Sequence, residues 1–157
     1  MTKKQEQARR VFANYCNKTN STVGGAQLNS EDGMQYVCNH FMACRYKDKV
    51  DDLKPAQRCV NFQKFIDEVS TVCYTPYCMD DIKPVDGSDN LLCTLGASGV
   101  FYDYTALKKM LNTFNGKIAA LGISRNSKFM GKGINALYVQ DTDGNEGFIL
   151  AMRPMKD

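Results

Sequence analysis

The C-terminal part of the chain, from Lys117 onward, carries the pattern that most restricts the fold. In the segments KIAALGIS, INALYVQD and EGFILAMR, apolar side chains recur with a period of two, which is typical of β-strands. The last two segments are separated by TDGN. Asp143-Gly144 favours a tight hairpin there, because glycine adopts a positive φ without a steric penalty. The sequence therefore predicts three antiparallel strands at the C-terminal end.

The N-terminal half has a helical period instead. Ala8, Val11, Phe12 and Tyr15 fall on one stripe of an amphipathic helix. Thr2, with glutamine three residues later, has the form of a capping box. A first helix is therefore predicted, followed by a polar loop that contains a pair of glycines.

Three further helices are predicted from the same spacing. The first begins at Ser30, and its apolar stripe is Met34, Val37, Cys38, Phe41 and Met42. The second begins at Pro55, and its stripe is Cys59, Phe62, Phe65, Ile66, Val69 and Cys73. The third ends at Asn115-Gly116, and its stripe is Leu107, Met110, Leu111 and Phe114. Residues 74–90 are interpreted as an ordered loop, and residues 91–104 as containing a short strand.

Helices followed by strands indicate the α+β class. We expect a single domain over residues 1–157, in which a helical N-terminal part packs on a C-terminal antiparallel sheet of three or four strands. The length of 157 residues, with 43% hydrophobic and 24% charged residues, is typical of one globular domain.

The sequence favours a cytoplasmic protein in a reducing compartment. No apolar run approaches the roughly 20 residues that span a bilayer, so no membrane contact is expected. The N-terminus has basic residues but lacks the apolar stretch of a secretion signal. Seven cysteines, an odd number, argue against a disulfide framework and favour free thiols.

Charge is distributed unevenly along the chain, although the net charge is only +3. Residues 1–18 contain five basic residues and one acidic residue, whereas residues 30–90 contain seven basic and eleven acidic residues. From residue 104 onward, the chain contains eight basic residues and four acidic ones. The favoured interpretation is that the basic ends and the acidic middle complement each other within the folded chain.

The segment VCNHFMACRY contains the single histidine of the chain between two cysteines. On a helix, Cys38 and His40 would point about 200° apart and could not share a metal ion. His40 and Cys44 would share a face, and Cys73 and Cys78 could complete a tetrahedral zinc site. Zinc is therefore a possible cofactor, but cysteines that pack as small apolar side chains are the favoured explanation, and no cofactor is expected.

Catalysis has little support in the sequence. Mechanisms that pair a nucleophilic cysteine or serine with an imidazole could use only His40, and no catalytic residue is assigned. We expect that the protein is not an enzyme, although an enzyme that uses His40 remains the third hypothesis.

The loop SRNSKFMGKG, at residues 124–133, is the most suggestive binding feature. Arg125, Lys128 and Lys132 lie among small polar residues, with Phe129 at the centre. Basic side chains bind anions, and an aromatic side chain at a loop tip can stack on an unpaired base. Arg9 and Arg10, in the basic first helix, are added to this binding set.

Together these features predict a small intracellular binding or regulatory protein that acts through a macromolecular contact. A protein partner is favoured, because a net charge of +3 gives a weak long-range field for nucleic acid. The alternative is a nucleic-acid-binding protein that uses loop 124–133 and the basic first helix.

Overall fold

A central antiparallel sheet organises the fold. The computed structural model describes residues 1–29, 31–71, 74–125 and 135–152; the side chains at 68–71, 74, 75 and 125 are not described. In chain order its elements are α1 Lys3–Thr19, β1 Gly25–Leu28, β2 Gln35–Cys38, β3 Met42–Tyr46, α2 Gln63–Thr71, β4 Tyr74–Pro76, a short 3-10 helix Met79–Asp81, β5 Ile82–Pro84, β6 Leu92–Leu95, β7 Phe101–Asp103, α3 Tyr104–Leu111, β8 Ile118–Arg125, β9 Asn135–Asp141 and β10 Glu146–Leu150.

The predicted fold class is wrong in its division of the chain. The described strands form a seven-stranded antiparallel sheet in the order β1-β2-β3-β10-β9-β8-β4 and a three-stranded sheet in the order β5-β6-β7. Strands therefore come from both halves of the chain, and they outnumber helices. The N-terminal part contributes one long helix rather than a helical layer over three or four strands. The helix predicted from Ser30 is instead the hairpin of β2 and β3.

Several local predictions are confirmed. Helix α1 begins at the Thr2–Gln5 capping box, in which each side chain bonds the other residue's backbone N–H. Helix α3 and strands β8, β9 and β10 lie within two or three residues of the predicted positions, although α3 ends at Leu111 with Asn112 as its C-cap rather than at Asn115-Gly116. Two other predictions need correction: α2 begins at Gln63 rather than Pro55, and residues 74–90 contain β4, the 3-10 helix and β5 rather than a loop.

Both faces of the large sheet are covered. Helices α1 and α3 and the small sheet pack against one face, where they bury Val37, Cys44 and Leu137. Helix α2 packs against the other face, where the rings of Phe65 and Phe148 lie 4.2 Å apart between centroids. Because both faces are covered at β2, every residue of that strand is buried and its sequence shows no alternation.

The β9–β10 hairpin forms at the predicted Asp-Gly turn, where Gly144 has a φ of 86°. The buried Asp141 carboxylate accepts 3.0 Å hydrogen bonds from the backbone N–H groups of Asn115, Asp143 and Asn145. One carboxylate therefore closes this turn and ties it to the segment that follows α3.

Arg9 lies in the core between α1 and the sheet and is only 1% exposed. Its guanidinium carbon stacks 3.8 Å from the centroid of the Tyr46 ring. One terminal nitrogen donates to Gln35 Oε1 at 3.1 Å and to the Asp48 carbonyl oxygen at 2.5 Å. Burial lowers the pKa of the guanidinium, and the nearby Tyr46 partly opposes that shift. Arg9 thus joins α1 to β2, β3 and the segment after β3.

We expect Arg9→Ala to lower the free energy of unfolding by about 3 kcal/mol, because it leaves a cavity and removes the guanidinium's hydrogen bonds to Gln35 and to the Asp48 carbonyl. The matched control is Arg10→Ala. Its side chain is half-buried and has no ion pair with a described carboxylate, so the loss should be about 0.5 kcal/mol or less. Urea unfolding of the two variants measures the difference, and equal losses would contradict the packing described above.

Candidate functional site

Basic side chains gather on the surface formed by α1 and α3. On α1, residues Arg9, Phe12, Ala13 and Cys16 face the core, so side chains on the opposite side of the helix face solvent. We call the following set the basic helical surface: Lys3, Lys4, Arg10 and Lys18 from α1, and Lys108 and Lys109 from α3.

The basic helical surface has almost no acidic counterpart on its own helices. Glu6 is the one acidic residue of α1, and α3 has none. Between described residues, four ion pairs form, and their cations are Arg45 and Lys49. None of the six surface cations is therefore ion-paired with a described carboxylate. The expected pairing of the basic ends with the acidic middle does not extend to this surface.

Aromatic rings lie beside both α3 lysines. Lys109 Nζ is 5.6 Å from the ring centroid of Tyr15 on α1, and Lys108 Nζ is 4.5 Å from that of Tyr104. An ammonium group at such distances is attracted to the face of the ring. The contact with Tyr15 places Lys109 beside α1, and the contact with Tyr104 lies within α3. Because α1 and α3 also pack against each other, cations of both helices lie on neighbouring surfaces.

The predicted binding residues of loop 124–133 are not part of the basic helical surface. Lys128, Phe129 and Lys132 lie outside the described residues, and so does most of loop 124–133. Arg125 pairs with Asn135 at the end of β8, and its side chain is not described.

The two α1 arginines differ in exposure. Arg10 belongs to the basic helical surface, whereas Arg9 points into the core and cannot meet a partner there. Arg9 lies on the same helical stripe as Phe12, Ala13 and Cys16, and this signal in the sequence could have indicated its burial.

Two of the four predicted metal ligands, His40 and Cys44, lie on a hairpin rather than on a helix. His40 is exposed in the turn between β2 and β3, and its ring meets Phe41 edge-on at a centroid distance of 5.0 Å. Cys44 is buried in β3 beneath α1, and Cys78 is exposed just before the 3-10 helix. Cys73 lies outside the described residues. Within the described ranges, no cluster of three or more histidine, cysteine or acidic residues could hold a metal, and the zinc site stays a prediction.

Four of the described cysteines are buried thiols: Cys16, Cys38, Cys44 and Cys93. Burial raises the pKa of Cys93 to about 11 and that of Cys38 to about 12, and it raises the pKa values of Cys16 and Cys44 further. A neutral thiol is a poor nucleophile and a poor metal ligand. These four cysteines are therefore packed as small apolar side chains.

A polar network on the α2 side of the sheet was missed by the sequence analysis. Arg45 of β3 bonds Glu146 of β10 through Nε, at 3.0 Å, and through a second nitrogen. Its remaining terminal nitrogen donates to Asp67 of α2 at 2.9 Å and to the Tyr36 hydroxyl at 3.3 Å. Tyr36 in turn donates to Asp32 at 2.6 Å.

The network binds α2 and the segment before β2 to the centre of the sheet. Burial by itself would lower the pKa of the Arg45 guanidinium, but the hydrogen bonds to Glu146, Tyr36 and Asp67 raise it above its ordinary value. Because each of these polar groups already contacts a protein partner, we assign the network a structural role. Its residues become neighbours through strand register, which no local motif in the sequence reveals.

No protein-family model, curated protein or solved structure matches this chain. Function must therefore be argued from the residues themselves. In the part of the chain that the structure describes, no helix has both the length and the apolar composition needed to cross a bilayer.

We expect Glu146→Ala to lower the free energy of unfolding by about 3–5 kcal/mol, because it leaves the largely buried Arg45 charge without its main partner. Asp67→Ala is the matched control. Its side chain is 52% exposed, so breaking its ion pair should cost at most about 1 kcal/mol. Denaturant unfolding compares the two variants. A larger loss of unfolding free energy for Asp67→Ala than for Glu146→Ala would show that Glu146 is not the main partner of Arg45 in the network.

The cysteines should react in two groups. In the native protein at pH 8, iodoacetamide should modify Cys59 and Cys78, which are exposed. The four buried thiols should react only after unfolding, because they are inaccessible and their raised pKa values keep them protonated. Mass spectrometry of the cysteine-containing peptides measures the extent of modification at each site, and the urea-unfolded protein is the control. If Cys44 in the native protein were modified as fast as Cys59, that result would contradict the burial of Cys44 in β3.

Proposed function

We propose that this protein is a small non-enzymatic binding or regulatory protein that acts by contacting a macromolecular partner, and that this partner is a protein with an acidic surface. The observation that carries the proposal is the basic helical surface, whose six cations have no ion pair with a described carboxylate. A partner of opposite charge would supply the missing counter-charges and would be attracted over a distance before contact.

The spacing on α1 supports a protein partner. Lys3, Arg10 and Lys18 succeed one another at intervals of seven and eight residues, which corresponds to roughly 10–12 Å along the helix axis. Val11 is exposed among them, and Tyr15 follows one turn later. Apolar and aromatic side chains surrounded by charged ones are the usual anatomy of a protein–protein interface.

Nucleic acid is the second candidate. The solvent-facing side of α1 presents several cations, and Glu6 is the one acidic residue of this helix, an excess of positive charge that a phosphate-binding surface requires. The prediction for loop 124–133 belongs to this candidate as well, and neutralising Arg125, Lys128 and Lys132 tests the loop separately. Binding to nucleic acid should weaken steeply as salt rises.

The proposal places the protein in a reducing intracellular compartment, the cytoplasm. The six described cysteines support this placement, because all of them are free thiols and such thiols persist where disulfides are kept reduced.

The proposal predicts that charge reversal on the basic helical surface abolishes partner capture. In a pull-down from an extract of the native source, the triple variant Lys4→Glu, Arg10→Glu, Lys108→Glu should capture at least about tenfold less partner than the wild type. The matched control reverses three exposed lysines elsewhere: Lys54→Glu, Lys64→Glu, Lys83→Glu. It makes the same change in net charge and should capture partner normally.

Circular dichroism would confirm that both triple variants are folded, and nuclease treatment of the extract separates the two candidates. Capture that survives nuclease indicates a protein, whereas capture that nuclease abolishes indicates nucleic acid. Equal capture by the wild type and both triple variants would overturn the proposed role of the basic helical surface.

A further inference from the structure

An apolar groove of about 530 Å³ adjoins the basic helical surface. We call it the Tyr15 groove, because Tyr15 of α1 forms one wall. Its other principal lining residues come from the small sheet, from the start of α3 and from the end of the described chain: Leu91, Leu92, Asp103, Thr105 and Met152.

Two large apolar side chains in the Tyr15 groove face solvent. Leu91 is 62% exposed and Met152 is 44% exposed. Single exposed apolar residues are common, but several around one groove mark an interaction site more often. Both residues are fixed through the backbone: the Leu91 carbonyl accepts a 2.9 Å bond from Tyr104 N–H, and Met152 N–H donates a 2.8 Å bond to the Phe101 carbonyl. The two side chains are therefore presented at defined positions.

A lysine lies beside the groove. Lys109 Nζ lies 5.6 Å from the Tyr15 ring centroid. On α1, Val11 and Tyr15 are four residues apart and share a face, and Lys4 and Lys18 lie seven residues on either side of Val11. The apolar surface of the groove thus continues onto α1 between lysines.

The acidic residue in the groove is already engaged. Asp103 caps α3, and its carboxylate accepts a 3.0 Å hydrogen bond from Ala106 N–H. Its charge also interacts favourably with the positive end of the helix dipole. The groove therefore has an apolar floor and a neighbouring lysine, Lys109, whose charge no described acid pairs.

We propose that the Tyr15 groove binds a segment of a partner protein in which apolar residues at helical spacing lie among acidic ones. Its apolar side chains would enter the groove against Leu91, Met152 and Tyr15, while its carboxylates would meet Lys109 and the α1 lysines. Charge complementarity favours this occupant, because an uncharged apolar segment leaves the lysines unused and a nucleic acid leaves the apolar floor unused. This inference rests on the proposed function and names the chemistry of the partner.

The test uses the full chain and a fluorescein-labelled peptide of about 16 residues, built from leucine at helical spacing and glutamate elsewhere. In fluorescence anisotropy, this amphipathic peptide should bind at least about tenfold more tightly than a peptide of identical composition whose leucines are scrambled. A polyglutamate peptide and a single-stranded oligonucleotide of similar length are the other probes, and both should bind more weakly than the amphipathic peptide.

Substitutions then locate the binding site. Leu91→Gln and Lys109→Gln should each weaken binding of the amphipathic peptide by about tenfold. Leu28→Gln and Lys64→Gln are the matched controls, since both residues are exposed but lie away from the groove, on β1 and α2. These two variants should bind the peptide like the wild type.

The outcomes separate this inference from the proposed function. Equal binding of the amphipathic and scrambled peptides, tighter binding of the oligonucleotide, or an unchanged affinity in Leu91→Gln overturns the Tyr15 groove as the docking site. If the charge-reversal triple variant still loses its partner in that case, the basic helical surface stands and the groove alone fails. If the triple variant captures partner normally, the proposed function fails as well.

Discussion

The pairing of β3 with β10 is the constraint on which the rest of the fold depends. These two strands lie about a hundred residues apart in sequence, and together they join the N-terminal hairpin of β2 and β3 to the C-terminal meander. Arg45 and Glu146 stand opposite each other in this ladder and are also ion-paired across it. On the other face of β3, Tyr46 supports the guanidinium of Arg9. The same strand therefore fixes α2 on one side of the sheet and α1 on the other.

Features that depend on residues close in sequence could be predicted, whereas features that depend on long-range pairing could not. Three features depend on residues close in sequence and were predicted: the capping box of α1, the apolar stripe of α3 and the Asp-Gly hairpin. The hairpin of β2 and β3 was mistaken for a helix, because its spacing of apolar residues also fits a period of 3.6. Strands that are covered on both faces lose the alternation that identifies them. Only the long-range pairing with β10 decides between the two interpretations.

The charge pattern also could be predicted from the sequence only in part. The sequence indicated basic ends and an acidic middle, and from this we expected pairing between them. Three of the four ion pairs between described residues centre on Arg45, which belongs to the acidic middle itself. The cations of the basic helical surface consequently remain without acidic partners among the described residues. Neither this separation nor the burial of Arg9 follows from net charge, because both depend on which side of α1 meets the sheet.

Two features of the surface are unfavourable for the isolated chain. Charges of one sign on a surface repel each other, and the exposure of apolar side chains such as Leu91 and Met152 to water raises the free energy of the chain. Each feature alone has an ordinary explanation, because exposed lysines and single exposed leucines are common. Their proximity is more informative, since Tyr15 belongs to the apolar groove and also contacts Lys109. A single occupant with carboxylates beside apolar side chains would relieve both at once. Because one occupant would cover the apolar side chains and neutralise the neighbouring cations, we propose that the Tyr15 groove and the basic helical surface act as parts of one site.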